Sequence, residues 1–196
     1  VPQERLPARL VHESVHGEAL DRVIRTRPEA EALALIAAGA DIRWSGSEPL
    51  RTAAYAGKRS VLGALLRAGA DVDARSSHGH TPLICALYQL RRRFANLSRQ
   101  YLFRLPESRE REKMEASVKF AASAVETLLL AGADPNLVTP YVQGVPPLTI
   151  AVEELCARTH NEGVGEADSL ETWKWSLVDT LLDRGADPNG RDHTGA

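Results

Sequence analysis

Residues 62–82, LGALLRAGADVDARSSHGHTP, decide the fold. They join an apolar helix ending at Leu65 and Leu66 to Gly69-Ala70-Asp71, then run through a polar connection containing Gly79 to Thr81-Pro82-Leu83. Outward from this stretch, Gly-Ala-Asp recurs at Gly39, Gly69, Gly132 and Gly185. Each time an apolar pair stands three and four positions earlier: Leu35/Ile36, Leu65/Leu66, Leu128/Leu129 and Leu181/Leu182. A Pro-Leu pair recurs at Pro49, Pro82 and Pro147, with Ala53, Ala86 and Ala151 four residues after each proline. Pro49 and Pro82 are 33 residues apart, and self-similarity at a fixed interval of this size marks a chain built from repeated supersecondary units.

Each recurring residue type suits a helix boundary. Thr81 can cap a helix through its hydroxyl, and Pro82 then takes the first helical position, where a missing N–H costs nothing. The alanines are small enough for stacked helices to approach closely. The glycines can take the left-handed conformation that ends a second helix. With these positions in register, residues 17 to 196 resemble the ankyrin repeat family, whose unit of about 33 residues carries T-P-L-H-x-A and two helices.

The resemblance implies an all-α solenoid of stacked helix-turn-helix units joined by β-turn or hairpin loops. Residues 1–40 form an irregular first repeat or cap, 41–71 the second unit, 72–134 the third and 135–187 the fourth. Residues 188–196 open a further one. A start at Val1 with Met114 as the single methionine suggests a piece of a longer protein with more repeats. The family's threonine position holds Glu48, Thr81 and Pro146, and its histidine position Arg51, Ile84 and Thr149. In the family that threonine and histidine tie the turn together, so a weak tie is expected here.

Two units are too long. Pro49 to Gly69 spans 20 residues, whereas Pro82 to Gly132 spans 50 and Pro147 to Gly185 spans 38. Both excesses fall where Gly57 separates the helices of the second unit; Leu90 and Leu155 stand there instead. Leu87, Leu90, Phe94, Leu97 and Tyr101 step by three and four, so the first helix is expected to run on to about residue 104. After Pro106, Ser108 can cap a return helix whose stripe is Met114, Val118, Ala121, Val125 and Leu128. The insertion, about 90–117, therefore predicts a protruding helical hairpin. The second, about 155–170, is more loop-like, and Asp168 with Glu171 can form a capping box that opens the last helix, with Trp173, Leu177 and Leu181 on its buried side.

Charge on the hairpin is uneven. Arg91, Arg92, Arg93, Arg99 and Arg104 have no acid between them. With Phe94, Tyr101 and Phe103 interleaved they make a surface suited to an acidic partner or a nucleic-acid backbone. The other reading is internal neutralisation by the acidic second insertion, which carries Glu153, Glu154, Glu162, Glu166, Asp168 and Glu171 against Arg158.

His12-Glu13-Ser14-Val15-His16 is a literal H-E-x-x-H, the spacing that on a helix sets two imidazoles for zinc with a glutamate as general base. Only eleven residues precede it and the repeats begin at once, which leaves no room for a surrounding catalytic domain. A zinc hydrolase is the remote alternative; no metal, cofactor, catalysis or small-molecule substrate is expected. The 196 residues are 43% hydrophobic and 26% charged with net charge −2, and no apolar run reaches the length of a membrane span. Cys85 and Cys156 fall in first helices as two buried thiols, which points to a reducing intracellular setting, cytoplasm or nucleus.

The family binds other proteins through its turns and through the two residues before the glycine that ends the first helix. By register these are Trp44, Ser45 and Ser47 with Tyr55 and Ala56; Ser77, His78 and His80 with Tyr88 and Gln89; and Tyr141, Gln143 and Val145 with Glu153 and Glu154. The expectation is a protein-interaction scaffold for a partner protein or peptide, centred on Tyr55 and Tyr88. Nucleic acid or an acidic partner held by the arginine hairpin is the alternative.

Overall fold

The computed structural model describes residues 17–103, 108–138, 144–156 and 168–190, which form eight α-helices and no strand. In chain order these are α1 (Gly17–Thr26), α2 (Glu29–Ala37), α3 (Trp44–Ala56), α4 (Arg59–Arg67), α5 (Pro82–Phe103), α6 (Ser108–Leu130), α7 (Pro147–Cys156) and α8 (Asp168–Asp183). Each odd helix packs on the even helix that follows it. Helices α1, α3, α5 and α7 also pack in succession, as do α2, α4, α6 and α8, which gives two helical layers.

One construction closes every second helix. Gly39, Gly69, Gly132 and Gly185 sit at φ of 84°, 88°, 91° and 87°. Each glycine N–H donates to the carbonyl three residues back, and the next alanine N–H to the carbonyl five back, as in Ala133 to Leu128 at 3.0 Å. This paired bond satisfies carbonyls that a helix end otherwise leaves orphaned. The same step buries the alanine against the leucine: Ala40, Ala70, Ala133 and Ala186 lie over Leu35, Leu65, Leu128 and Leu181, all buried. The aspartate that follows then folds the exit. Asp41, Asp71, Asp134 and Asp187 each accept the N–H two residues on, at 2.8 to 3.1 Å.

The residue four after the glycine reaches the next helix ending along the chain. Arg43 donates to Gly69 O (3.4 Å), and Asp73 accepts from Asp134 N–H (3.1 Å). Asn136 does both, donating Nδ2 to Gly185 O (2.9 Å) and accepting from Asp187 N–H (2.8 Å). Asn136→Ala is expected to lower stability by about 1 kcal/mol, since two exposed hydrogen bonds are exchanged for water. The urea midpoint reads this directly, and an unmoved midpoint would mean that the bridge adds nothing to stability.

Both long helices form where the stripes predict them. The 22-residue α5 is about 33 Å long, and α6 begins at Ser108. The described members of the predicted stripes are buried: Leu87 and Leu90 on α5, Val118, Ala121, Val125 and Leu128 on α6, and Leu177 and Leu181 on α8; the side chains of Phe94, Leu97, Tyr101, Met114 and Trp173 lie outside the described ones. Thr81 Oγ1 accepts from Ile84 N–H (3.3 Å), so the hydroxyl caps α5 as expected. Gly57 ends α3 at φ 70°, and a side chain there would meet Ala121 of α6 at 3.7 Å.

The turn before α3 departs from the expected form. Gly39 and Pro49 lie three residues closer than Gly69 and Pro82, and the chain absorbs the deficit with three consecutive left-handed residues, Ser45, Gly46 and Ser47, at φ 50°, 66° and 61°. Among the described residues no helix is long and apolar enough to cross a membrane.

Candidate functional site

The turn that enters α5 is organised by Ser76, a residue the register did not single out. Its N–H donates to His80 O (3.0 Å) and its carbonyl accepts from Gly79 N–H (2.8 Å), while Oγ accepts from the N–H groups of His78 (3.2 Å) and His80 (3.0 Å). Gly79 at φ 75° makes the reversal possible. Ser77 and His78 are thereby exposed at the tip, and His80 is turned inward, half-buried, its ring centroid 6.2 Å from that of Tyr88.

Burial pushes the His80 imidazole below its usual 6.5, and the charges of His78 and Arg51 push the same way. The fold therefore favours the neutral ring. That contribution is whole above 6.5 and is lost as pH falls below 6.5 through the depressed native value. Melting temperature is expected to drop on acidification below 6.5, and His80→Asn to flatten part of the drop. An identical slope in the variant would assign the pH dependence to other groups.

At the far end of α3, Tyr55 is 43% exposed. Its hydroxyl accepts from Arg92 Nη1 at 2.8 Å, and the guanidinium carbon lies 5.8 Å from the ring centroid. The two surfaces treated separately in the sequence, the tyrosine face and the arginine run, meet here. Arg93 points the other way: it donates to Ser117 O (2.9 Å), to Ser117 Oγ and to Ala56 O (3.3 Å), tying α5 to α6 and to the last carbonyl of α3. Desolvation, with the charge of Arg92 beside it, lowers its pKa.

Several register-based assignments are corrected by burial. Ser47 is 3% exposed and Gln89 is 7% exposed, so neither side chain faces a partner. Ser47 is drawn in by the left-handed turn. Gln89 Oε1 and His80 Nε2 are buried with no hydrogen-bond partner among the described residues. Tyr88 is half-buried and packs on the core, so it does not match Tyr55 as an exposed pair. Trp44 is half-buried too; a Cβ on Gly17 would fall 1.9 Å from its Cβ, so the indole's stem lies on α1. Arg91 is exposed and engaged in an interaction, and Arg99 lies on α5. Tyr141, Gln143 and Arg104 lie outside the described residues, as do His12 to His16, the 157–167 part of the acidic insertion and the tail from 191.

Arg51 corrects the expectation of a weak turn. The threonine and histidine positions hold Glu48 and Arg51, and these form an ion pair at 2.6 Å. Arg51 also donates to Ser45 O (3.0 Å), to Gly46 O and, in the next turn, to Ala74 O (3.3 Å). Glu48 continues the network to Arg25 (3.5 Å), which pairs with the buried Asp21 (2.8 Å), and Asp21 accepts from Thr52. A signal was present in the sequence: an acid and a base, three apart, at adjoining turn positions.

No family model and no curated protein matches the chain.

Among the described residues no three metal-ligating side chains come together. Cys85 is a free, half-buried thiol whose pKa burial raises to about 11, which keeps it protonated and a poor nucleophile. The 76–80 turn thus offers a hydroxyl and an imidazole, and the end of α3 with the middle of α5 an aromatic ring and a guanidinium. These are contact chemistry.

Proposed function

We propose that the chain is a non-catalytic interaction scaffold of the ankyrin-repeat type, holding a partner protein or peptide on its turns and first-helix ends. The fourfold helix ending carries this reading. Four glycine caps of one construction, each followed by the same aspartate turn, support a stack of equivalent units in which the turns form one edge. Repeat arrays use such extended edges for partners. Ser77 and His78 are exposed on it, with Tyr55 and Arg92 exposed farther along α3 and α5, and a tyrosine with its ring in the open is a frequent anchor of binding energy.

The experiment is affinity capture of partners by the unaltered chain and by Tyr55→Ala/His78→Ala, with helical circular dichroism and melting followed in both. Capture is expected to be lost with the fold intact; undiminished capture would remove this face from consideration. Tyr88 is left alone because truncating it disturbs the core. The nucleic-acid alternative is weakened by the inward turn of Arg93 and by the net charge of −2. Cys85 as a free thiol accords with a reducing compartment, cytoplasm or nucleus.

A further inference from the structure

We infer that the partner segment is an acidic peptide, one of whose carboxylates docks on the Arg92–Tyr55 pair at the seam of α3 and α5. This rests on the protein-binding reading above. The pair is preorganised: Tyr55 Oη fixes Arg92 Nη1 at 2.8 Å, and the ring lies beside the guanidinium at 5.8 Å. Little rotamer freedom is left for a ligand to remove. A guanidinium has five N–H donors in a planar fork that matches a carboxylate, and the phenol occupies one without neutralising the charge.

That charge lacks a counterion among the described residues, where Asp21 and Glu48 are engaged by Arg25 and Arg51. Arg93 is held close behind by Ser117 and Ala56 and cannot swing out to share a ligand, but its charge adds to the local field. An incoming carboxylate would relieve the repulsion between the two arginines. Among the described side chains the positive patch is short, Arg91 to Arg93, and it belongs to a chain of net charge −2. It suits one or two acidic side chains of a peptide better than a polyanion, whose binding draws on many phosphate contacts.

The test is selection of a displayed library of random dodecapeptides on the immobilised chain, followed by affinity measurement of the enriched peptides. Enrichment in Asp and Glu is expected, with affinity falling about tenfold or more in Arg92→Glu and less in Arg92→Lys, which keeps charge but loses the fork. Tyr55→Phe, which removes the hydroxyl that fixes the fork, is expected to give a smaller loss. Arg92 is exposed, so unchanged melting will certify each variant. Enriched peptides that are not acidic, or that bind Arg92→Glu as well as the parent, overturn the inference. If such peptides are instead lost with His78→Ala, the scaffold reading survives without this site. Failure to enrich any peptide overturns both. Tighter binding of oligothymidylate than of any peptide, abolished by Arg92→Glu, would assign the patch to nucleic acid and overturn the inference as well.

Discussion

Arg51→Ala is expected to destabilise the fold by about 3 kcal/mol, the lower part of the range for breaking a buried, hydrogen-bonded ion pair. The side chain is 3% exposed and bonds to three carbonyls and one carboxylate. Two of those carbonyls belong to the left-handed run at Ser45 and Gly46, where each non-glycine residue costs about 1–2 kcal/mol of backbone strain. With the clamp gone, the Ser47 N–H to Arg43 O bond (3.2 Å) is left to hold the turn, which is expected to relax. The loss stays at the low end because Glu48 is partly exposed and keeps Arg25 as a second partner. Arg51→Lys should recover little, since an ammonium cannot reach carbonyls on both sides of a fork. Denaturant unfolding gives the number. A loss below about 1 kcal/mol, the size of an ordinary substitution, would mean that water serves the turn as well as the guanidinium does.

Leu128→Ala is expected to cost a further amount of the same order, about 3 kcal/mol, from lost transfer energy and the cavity left behind. Leu128 is fully buried on α6, which has α4 on one side and α8 on the other within its layer. Its carbonyl also holds the helix ending through Ala133. With helices on both sides and a fixed backbone, the site cannot collapse to fill the gap. Leu130, two residues on, is 66% exposed, and Leu130→Ala should stay within about 0.5 kcal/mol. Equal losses in the two variants would show that the buried face of α6 has been misassigned.

The helix framework was largely legible because its signals are local. Gly39, Gly69, Gly132 and Gly185 announce left-handed caps, Pro82 and Pro147 announce helix starts, and the stripes on α5, α6 and α8 announce their own burial. The surface was much less legible. Register transfers a position and not an exposure: Ser47 and Gln89 occupy contact positions by count, yet three missing residues in one turn and close packing of α5 bury them. The Arg92–Tyr55 contact joins residues 37 apart. It depends on α5 continuing past the place where α3 stops, so only the packed helices reveal it. By register Arg51 is only a missing histidine, whereas its chemistry with Glu48 makes a tighter tie of a different kind.

The bridges from Arg43, Asp73 and Asn136 differ in chemistry, but they all land on main-chain atoms, a glycine carbonyl or an aspartate amide of the next helix ending along the chain. Every unit offers that landing place as a by-product of its own helix ending, whatever its side chains. The coupling is therefore generic. A unit can be duplicated, or can acquire a long insertion between its helices as the third and fourth have, without a matching change in the unit that follows. Such a chain can diversify its turn edge one unit at a time while its joints stay unchanged.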